Sequence, residues 1–550
     1  MKDYEECIAF LGQWGCFQFV IFFLLCASIM PNGFGAFTLV FLTDVPPHHC
    51  IVPGANLTEE WQKAAIPIEV VNGVEEKSRC SRYRLDVVMD LWAQGSAPGD
   101  VNLTQLQQEP CVDGWSYSKD IYQSTLVTEF DLVCHDEWKQ PFTASVFYAG
   151  VTCGSLFSGE LSDKFGRKPI LFATMAVQTL FTFFQVFADS WILFTVLLFF
   201  NGLGQMSNFV AALVLGAEIL TGHARVMYSS LATNSAFALG YMMLPLFAYF
   251  LRDWRGLLLG LAVPGLAYIP MWWLIPESPR WLLFQGKVKE AEAIIKKAAR
   301  WNKIPVPQNT FDQFVVPEKE QEKAKKNYSV LDLFKTSTIR ITTLNLFFIW
   351  FIMFLAYYGL NLNTSQLHPN PYLSCFISAL VEIPAYTCSW LILRKFPRRA
   401  SIIAALCVGA APLYFIQLVP KDMPTLALIV EMTAKFSFTA GTCFMFTYTS
   451  ELYPTPLRNT ATGTCSMMSR IGSCVAPFIL KLSVFLKFLP HITIASLALF
   501  AASFSVFIPE SFGHPLPETM EQMATRERIH CPCQRKKEPI RTMVPAEDPL

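Results

Sequence analysis

The chain has 550 residues, of which 53% are hydrophobic and only 16% are charged, and its 43 Lys and Arg balance 43 Asp and Glu. Soluble proteins carry about 25% charged residues, so this composition excludes an ordinary soluble enzyme. A net charge of zero offers no basic face for nucleic acid, and the abundance of apolar residues excludes disorder. The alternatives are a membrane protein with several spans or a very large apolar core.

Long apolar runs decide between these alternatives, because a hydrocarbon layer of about 30 Å needs roughly 20 apolar residues per helix. Twelve such runs follow one another along the chain. They lie at Phe17 to Leu42, 142–160, 169–188, 191–214, 226–250, 256–275, 340–362, 371–393, 401–419, 423–449, 461–485 and 488–508. Membrane β-strands would be about ten residues long and alternating. The runs therefore predict an all-α membrane protein with twelve transmembrane helices.

A polar segment, residues 43–141, separates the first two predicted helices. It contains four cysteines and two glycosylation sequons. The cysteines and sequon asparagines are Cys50, Cys80, Cys111, Cys134, Asn56 and Asn102. An even number of cysteines beside sequons indicates a large oxidised, glycosylated extracellular loop. Four cysteines allow three pairings, among which the sequence does not choose, and a cytoplasmic loop with free thiols is the alternative.

Basic residues concentrate in the connections at the other side, within 276–339, Lys164–Lys168 and Arg394–Arg399. Positive residues near span ends mark the cytoplasmic face, so both termini are expected there. The acidic start of the chain also argues against a cleaved signal peptide. The predicted order is a cytoplasmic N-terminus (1–16), helix 1 (17–42), the extracellular loop (43–141), helices 2–6 (142–275), a cytoplasmic loop (276–339), helices 7–12 (340–508) and a cytoplasmic tail (509–550).

Two sets of residues recur at one shift of 233 positions. The sets are Glu218, Arg225 and Ile275-Pro-Glu-Ser278 against Glu451, Arg458 and Ile508-Pro-Glu-Ser511. A shared shift over six residues predicts two parallel six-helix halves with a substrate site between them near the midplane. Twelve helices without symmetry are the alternative.

Charges at the cytoplasmic helix ends are candidate gating residues. A Glu there can pair with an Arg at a neighbouring helix end while the cavity is closed on that side. The candidates are Asp163, Arg167, Glu218, Arg225, Glu451 and Arg458. Solvated charges at helix ends are the alternative interpretation.

Several motifs are similar to those of known transporters. The stretch Gly159-Glu-Leu-Ser-Asp-Lys-Phe-Gly-Arg-Lys168 resembles the loop signature of the major facilitator superfamily. The long first loop, Pro276-Glu-Ser-Pro-Arg-Trp281 and the Glu451…Arg458 stretch resemble the organic ion transporters of solute carrier family 22. Finer likeness to its carnitine/organic cation branch lies in Asp3-Tyr4…Ala9-Phe-Leu-Gly12, Pro31-Asn-Gly-Phe34, Ala173-Thr-Met-Ala-Val-Gln178 and Pro245-Leu-Phe-Ala-Tyr-Phe250.

This resemblance implies a plasma-membrane carrier that takes up carnitine and related zwitterions or organic cations by alternating access, with sodium as coupling ion. The alternative cargo is ergothioneine or general organic cations with little sodium dependence. Apart from sodium we expect no cofactor, no metal site and no nucleic acid partner. We expect a monomer in the lipid bilayer, whose tail contacts a cytoplasmic scaffold.

Charged residues inside spans are functional candidates, because each costs about 2.5–3.5 kcal/mol on insertion. They are Glu382, Glu431, Lys435, Arg470 and Lys481. The guanidinium of Arg470 can hold a carboxylate in two parallel hydrogen bonds, and the resemblance implies that it holds the substrate carboxylate. A structural pair with an acidic neighbour is the alternative. Glu431 and Lys435 have the i, i+4 spacing of a neutralising pair.

The trimethylammonium end of carnitine has no hydrogen-bond donor, so aromatic faces suit it, at about 0.5–2 kcal/mol each. Trp350 and Tyr357 share one face of the seventh helix, whereas Tyr358 is expected to point elsewhere. Further candidates are Phe209, Phe446 and Tyr448. The resembling branch usually has Tyr at the first of these positions and often at the second, which keeps the alternative cargoes open.

Uncharged polar residues within apolar spans are Gln178, Gln205 and Asn208. The resemblance implies that they line the cavity, and interhelical hydrogen bonds are the alternative. Asn32 lies in the predicted Pro31–Gly33 break of the first helix, where unwound backbone can coordinate a cation. Asn32 and Glu451 are the candidates for sodium coupling.

Other classes of function lack their motifs. The chain has no filter-forming segment of a channel, no phosphate loop of an ATP-driven pump, and no Ser/His/Asp or metal-ligand constellation of an enzyme.

Overall fold

The computed structural model describes residues 7–54, 57–71, 74–306 and 330–514, with the single residues 517 and 523. In these ranges twelve long helices follow the twelve apolar runs. They are α1 Cys16–Phe37, α2 Lys139–Phe165, α3 Arg167–Gln185, α4 Trp191–Ile219, α5 Thr233–Phe250, α6 Trp254–Leu266, α7 Ser337–Leu362, α8 Pro371–Lys395, α9 Arg398–Phe415, α10 Pro424–Leu452, α11 Thr455–Leu480 and α12 Leu489–Ser505.

Length and hydropathy divide these helices into two groups. In the described part of the chain, eight spans are long and apolar enough to cross a membrane. The helix α12 is apolar but has 17 residues, and α2, α3 and α10 carry more polar side chains. Short segments extend three helices: Leu39–Leu42 follows α1, Gly222–Met227 and a π-helical turn at Tyr228–Ala232 precede α5, and Met271–Leu274 follows α6.

The first helix is continuous, which corrects the predicted break at Pro31. A proline inside a helix leaves the carbonyl four residues earlier without its N–H donor. Here the hydroxyl of Tyr268 donates to that carbonyl, on Ala27, so α1 passes through Pro31 without unwinding.

Two glycines let α1 and α5 approach closely. A Cβ atom on Gly33 would collide with the carbonyl oxygen of Phe237, and one on Gly240 would collide with that of Met30. Small residues permit such backbone contact between membrane helices. The contact fixes α1 against α5 beside the residues described below.

The segment between α1 and α2 is a small folded domain with three antiparallel two-stranded sheets. The strands are β1 His48–Cys50, β2 Ile68–Val71, β3 Val74–Lys77, β4 Ser81–Tyr83, β5 Gln108–Pro110 and β6 Trp115–Tyr117, paired β1–β6, β2–β3 and β4–β5. Helices Glu59–Ala64 and Leu85–Ala93 pack beside them. We call the membrane-helix ends that carry this domain the outer end, and the opposite ends the inner end.

Disulfides join Cys50 to Cys111 and Cys80 to Cys134. Each closes a loop of more than fifty residues, and cross-linking such loops restricts the unfolded chain. The sequon residue Asn102 is exposed, and its side-chain oxygen accepts a hydrogen bond from Thr104. The other sequon residue, Asn56, lies outside the described residues, as does nearly all of the tail after 514.

The two six-helix halves, α1–α6 and α7–α12, share the same helix-capping arrangement at the inner end. Glu277 accepts hydrogen bonds from the backbone N–H groups of Arg167 (3.0 Å) and Lys168 (3.1 Å) at the start of α3. Glu510 does the same for Arg398 (2.9 Å) and Arg399 (3.1 Å) at the start of α9. A carboxylate at a helix N-terminus neutralises unpaired N–H groups and the helix dipole, so the sequence repeat is also structural.

Contacts between the halves close the outer end. The carboxylate of Asp44, just after α1, accepts hydrogen bonds from Tyr122 (2.6 Å) and from Gln366 beyond α7 (2.7 Å). The rings of Phe41 and Tyr372 stack at 5.6 Å. Burial raises the pKa of Asp44 above its usual value, although its hydrogen bonds oppose the shift.

Candidate substrate site

The inner-end charges form two matching clusters within the halves. In the first half, Glu218 binds Arg167 (2.9 Å) and the Ser278 hydroxyl (2.5 Å), and Arg167 also binds Asp163. Arg225 instead donates from Nε to the carbonyl of Leu220 at 2.9 Å. The structure thus pairs Glu218 with Arg167 of α3 and not with Arg225.

In the second half, Glu451 binds Arg398 at 3.1 Å and the Ser511 hydroxyl at 2.9 Å. Arg458 does not contact Glu451, and its buried Nε and Nη2 atoms have no hydrogen-bond partner among the described residues. Glu451 therefore belongs to an inner-end cluster, apart from Asn32, with which the sequence grouped it for sodium coupling.

A cluster of buried amides lies between α1, α3 and α4, and we call it the amide cluster: Asn32, Gln178, Gln205 and Asn208. Asn32 donates to the side-chain oxygen of Asn208 at 3.0 Å, Gln205 donates to the Asn32 carbonyl at 2.7 Å, and Gln178 donates to the Pro31 carbonyl at 3.3 Å. Every one of these amides is buried. The amides of α3 and α4 therefore form interhelical hydrogen bonds, and all of them gather around Pro31 and Asn32 of α1.

Three oxygens of the amide cluster have no donor. They are the side-chain oxygens of Asn32, Gln178 and Gln205, all buried and unpartnered in the described structure. Buried polar atoms normally have partners. Gly35 keeps room beside them, because an added Cβ would lie 3.1 Å from the Gln205 oxygen. A cavity of about 30 Å³ borders Gly35 and Gln178, enough for one particle the size of a water molecule.

Arg470, in the middle of α11, is 8% exposed. One terminal nitrogen donates to the hydroxyl of Tyr358 at 3.3 Å, and Nε has no partner. Among the described residues no carboxylate lies within ion-pair distance of it. An unpaired buried charge is costly, so the absence of a carboxylate partner within the described residues makes Arg470 a candidate for holding an anion.

The contact with Tyr358 corrects the expectation that this residue points elsewhere. Tyr358 lies between the two halves: its ring meets Tyr148 of α2 at 5.0 Å and Phe37 of α1 at 6.0 Å. Phe37 also contacts Tyr241 at 4.4 Å and Tyr357 at 6.4 Å. We call these five rings the aromatic box.

The predicted aromatic residues occupy four places. Tyr357 belongs to the box, whereas Trp350 and Phe446 meet each other at 4.7 Å further towards the inner end. Phe209 is half-buried and contacts Phe237. Tyr448 does not join these rings, because its hydroxyl donates to the carbonyl of Pro509 at the inner end, at 2.5 Å.

A buried ion pair adjoins the aromatic box. Lys435 of α10 lies 3.2 Å from Glu382 of α8, and both side chains are inaccessible to solvent. Tyr357 donates to Glu382 at 2.8 Å, and Lys435 donates to Ser378 at 2.5 Å. The hydroxyl of Tyr241 reaches the same serine at 3.4 Å, so this network spans both halves.

The predicted i, i+4 pair of Glu431 and Lys435 does not form. Glu431 accepts a hydrogen bond from Asn363 (3.3 Å) and lies 3.0 Å from Nε2 of His491 on α12. The four-residue spacing placed the two side chains on one helix face, but each has a nearer partner on another helix. Lys481, the remaining in-span candidate, binds Glu137 at the outer end at 2.7 Å.

Comparison with known proteins places this arrangement in a family. Residues 106–523 match the family described as sugar (and other) transporter. The chain is 48% identical over 533 residues to solute carrier family 22 member 4 of Mus musculus, covering 96% of each chain. It is 48% identical over 525 residues to the organic cation/carnitine transporter 2 of Homo sapiens, covering 95% of this chain and 94% of that one. The chain belongs to solute carrier family 22.

Solved structures give the fold of this family member. The inward-open xylose transporter XylE from E. coli superposes with a TM-score of 0.59 at 15% identity, covering 91% of this chain and 98% of that one. The predicted all-α membrane protein with the major facilitator fold is confirmed, as is the prediction that the chain is a transporter and not an enzyme.

For this solute carrier family 22 member, sequence reasoning missed Tyr148, Phe37, Tyr241 and His491. The three aromatic residues lie in apolar runs where most rings pack or face lipid, so no local signal distinguished them. A histidine at the start of an apolar helix was the one available signal for the partner of Glu431.

Proposed function

We propose that the protein takes up carnitine and related zwitterions across the plasma membrane by alternating access, coupled to sodium. The observation that carries the proposal is the buried guanidinium of Arg470, which lacks a carboxylate partner and borders the aromatic box. The human relative that is 48% identical is named for carnitine transport.

The two poles of a zwitterion match the two sides of this site. A carboxylate can accept two parallel hydrogen bonds from the Arg470 guanidinium. A trimethylammonium group can lie against the rings of Phe37, Tyr241 and Tyr357, gaining about 0.5–2 kcal/mol per ring face. The Glu382–Lys435 pair beyond Tyr357 is neutral overall. Among the described residues near the site, Arg470 is therefore the one charge that no opposite charge compensates.

The amide cluster fits the coupling ion. Hard cations are bound by oxygen ligands, including side-chain amide oxygens, and the unpartnered oxygens of Asn32, Gln178 and Gln205 are of this kind. No carboxylate belongs to the cluster, which suits a monovalent ion better than a divalent one. Because Phe37 of the aromatic box lies on the same helix as Asn32, sodium in the cluster would stabilise α1 in a substrate-binding position.

The closed outer end supports an inward-facing state. Asp44 and Tyr372 tie the halves at that end, whereas the Glu218 and Glu451 clusters each lie inside one half. Each half can therefore move as a unit around the central site. The disulfides and the exposed Asn102 support an extracellular, glycosylated outer domain, with both termini in the cytoplasm.

A second candidate is transport of ergothioneine or of simple organic cations with little sodium dependence. The observation that favours it is Phe446, which is 42% exposed next to Trp350. A ring face without a hydroxyl accommodates many cations and selects none of them by hydrogen bonding.

Uptake of labelled carnitine, ergothioneine and tetraethylammonium into cells expressing the protein, with sodium and with an impermeant replacement cation, tests the proposal. We expect carnitine uptake to exceed the others and to fall when sodium is removed. Entry of tetraethylammonium alone would contradict the proposal, and sodium-independent entry of ergothioneine would favour the second candidate.

A further inference from the structure

A tyrosine of the first half lies beside the contact between Arg470 and Tyr358, and its hydroxyl has no hydrogen-bond partner among the described residues. Tyr148, on α2, is 1% exposed, and its hydroxyl is unpartnered in the described structure. Its ring packs edge-on against Tyr358 at 5.0 Å, and Tyr358 in turn accepts a hydrogen bond from Arg470. Buried polar atoms normally have hydrogen-bond partners. A ligand that accepts a hydrogen bond from this hydroxyl would explain why the position is a tyrosine and not a phenylalanine.

The free groups around Arg470 are all hydrogen-bond donors. Tyr358 accepts from Arg470 at 3.3 Å, so its own proton remains available. Tyr148 has an O–H, and Arg470 has an N–H at Nε without a partner. An arginine side chain has no acceptor, whereas an ionised carboxylate is acceptor-only with room for about four hydrogen bonds. A group of buried donors that includes a positive charge is complementary to that group.

We propose that Tyr148 and Tyr358 complete, together with Arg470, a carboxylate cradle whose donors come from both halves of the transporter. The guanidinium holds one edge of the carboxylate, and the two phenol hydroxyls donate to its remaining lone pairs. This inference rests on the proposed function and deepens it, because it assigns selection of carboxylated over purely cationic solutes to two tyrosines that no sequence motif indicated.

The position of the cradle gives it a role in transport as well as in selectivity. Tyr148 belongs to the first half, while Tyr358 and Arg470 belong to the second. A carboxylate bound to all three therefore links the halves. One turn away, the hydroxyl of Ser145 donates to the carbonyl of Cys474 at 2.6 Å, so α2 and α11 already adjoin there. A cation without a carboxylate leaves the donors unpaired, which a hydrogen-bonding site penalises strongly.

Binding to the purified full-length protein tests the cradle with two probes, carnitine and choline, which share a trimethylammonium group and differ in the carboxylate. The variants are Tyr148→Phe, Tyr358→Phe and the double variant. Tyr228→Phe is the matched control, because Tyr228 is an equally buried tyrosine whose hydroxyl bonds to the carbonyl of Ala212, away from the site.

We expect each single variant to bind carnitine about tenfold more weakly, the effect of one hydrogen bond to a charged group. Choline affinity should stay within about twofold, which also shows that the variant is folded. The control should leave both affinities unchanged. The double variant should lose most of the preference for carnitine over choline.

Two results would overturn the cradle. One is an unchanged ratio of carnitine to choline affinity in the variants. The other is an equal loss of affinity for both ligands, because the hydroxyls would then support the whole site and not the carboxylate alone. Failure of the proposed function appears differently. In that case the unmodified protein itself would show no preference for carnitine over choline.

Discussion

The interiors of the two halves differ although their inner ends match. In α1–α6 the buried polar side chains are uncharged amides and hydroxyls, and three of the amides keep unpartnered oxygens. In α7–α12 acidic and basic side chains are buried as well: the Glu382–Lys435 pair, Glu431 with its partner His491, and Arg470. At the inner end, by contrast, Glu218 and Glu451 bind an Arg and a Ser in the same way.

This difference shows that one duplicated scaffold can carry two chemistries. The inner-end clusters cap and tie helices, a task that each half needs equally. Under the proposed function, the interior of the first half offers oxygens to sodium, and that of the second half offers a positive charge to the substrate carboxylate. The aromatic box joins them, because its rings come from both halves.

The largest effect is expected for breaking an ionic pair of the second half. Glu431→Val should lower the free energy of unfolding by about 3–5 kcal/mol, because His491 would stay buried without its partner. Thermal unfolding of the detergent-solubilised protein measures it. The double variant Glu431→Val/His491→Phe should recover most of the loss. Additive losses from the two positions would show that the pair is not coupled.

Removing the buried charge of Arg470 comes next. Arg470→Ala should reduce carnitine uptake about 100-fold, corresponding to hydrogen bonds to a charged group of about 1.5–3 kcal/mol. Choline binding and surface expression should persist. Arg470→Lys, which keeps the charge and loses the planar fork, should lie between the two. Unchanged carnitine uptake in Arg470→Ala would show that this residue does not bind the substrate.

A smaller effect is expected from the neutral interior of the first half. Gln205→Leu should raise the sodium concentration needed for half-maximal carnitine uptake about tenfold, since it deletes one proposed ligand oxygen. Asn201→Leu is the control, because Asn201 is a buried amide of the same helix that bonds to Thr182 and Gln185. The same shift in both variants would argue against a sodium site in the amide cluster.

The smallest effects should be equal in the two halves. Glu218→Gln and Glu451→Gln each weaken a partly exposed ion pair, and we expect losses of about 1 kcal/mol in unfolding free energy. Thermal unfolding of both variants under the same conditions measures whether the two losses of stability are equal. A clear loss in one half alone would contradict the structural equivalence that the 233-residue repeat indicates.

The helices and the repeat could be predicted because both depend on patterns along the chain. Apolar run length predicts helices such as α7, and Pro-Glu-Ser at equal shifts predicted equivalent positions that proved to cap α3 and α9. The predicted unwinding at Pro31 was wrong because Tyr268, more than two hundred residues away, donates a hydrogen bond to the freed carbonyl. A contact over such a distance in sequence leaves no local pattern.

The candidate site was predictable only where one residue is unusual by itself. Arg470 stands out as a cation in an apolar run. Partners did not stand out, since Glu431 has a lysine four residues on and a histidine sixty residues on, and only packing of α10 on α12 decides between them. Tyr358 was missed because a helical wheel gives its angle on α7 but not the neighbours that α1, α2 and α11 place beside it.

The most direct measurement is a structure of the protein with carnitine and sodium bound. We predict the carboxylate on the Arg470 guanidinium, the trimethylammonium group against Phe37 and Tyr357, and sodium among the oxygens of Asn32, Gln178 and Gln205. Carnitine in the reverse orientation, or sodium bound beside a carboxylate of the second half, would contradict the division of labour between the two halves.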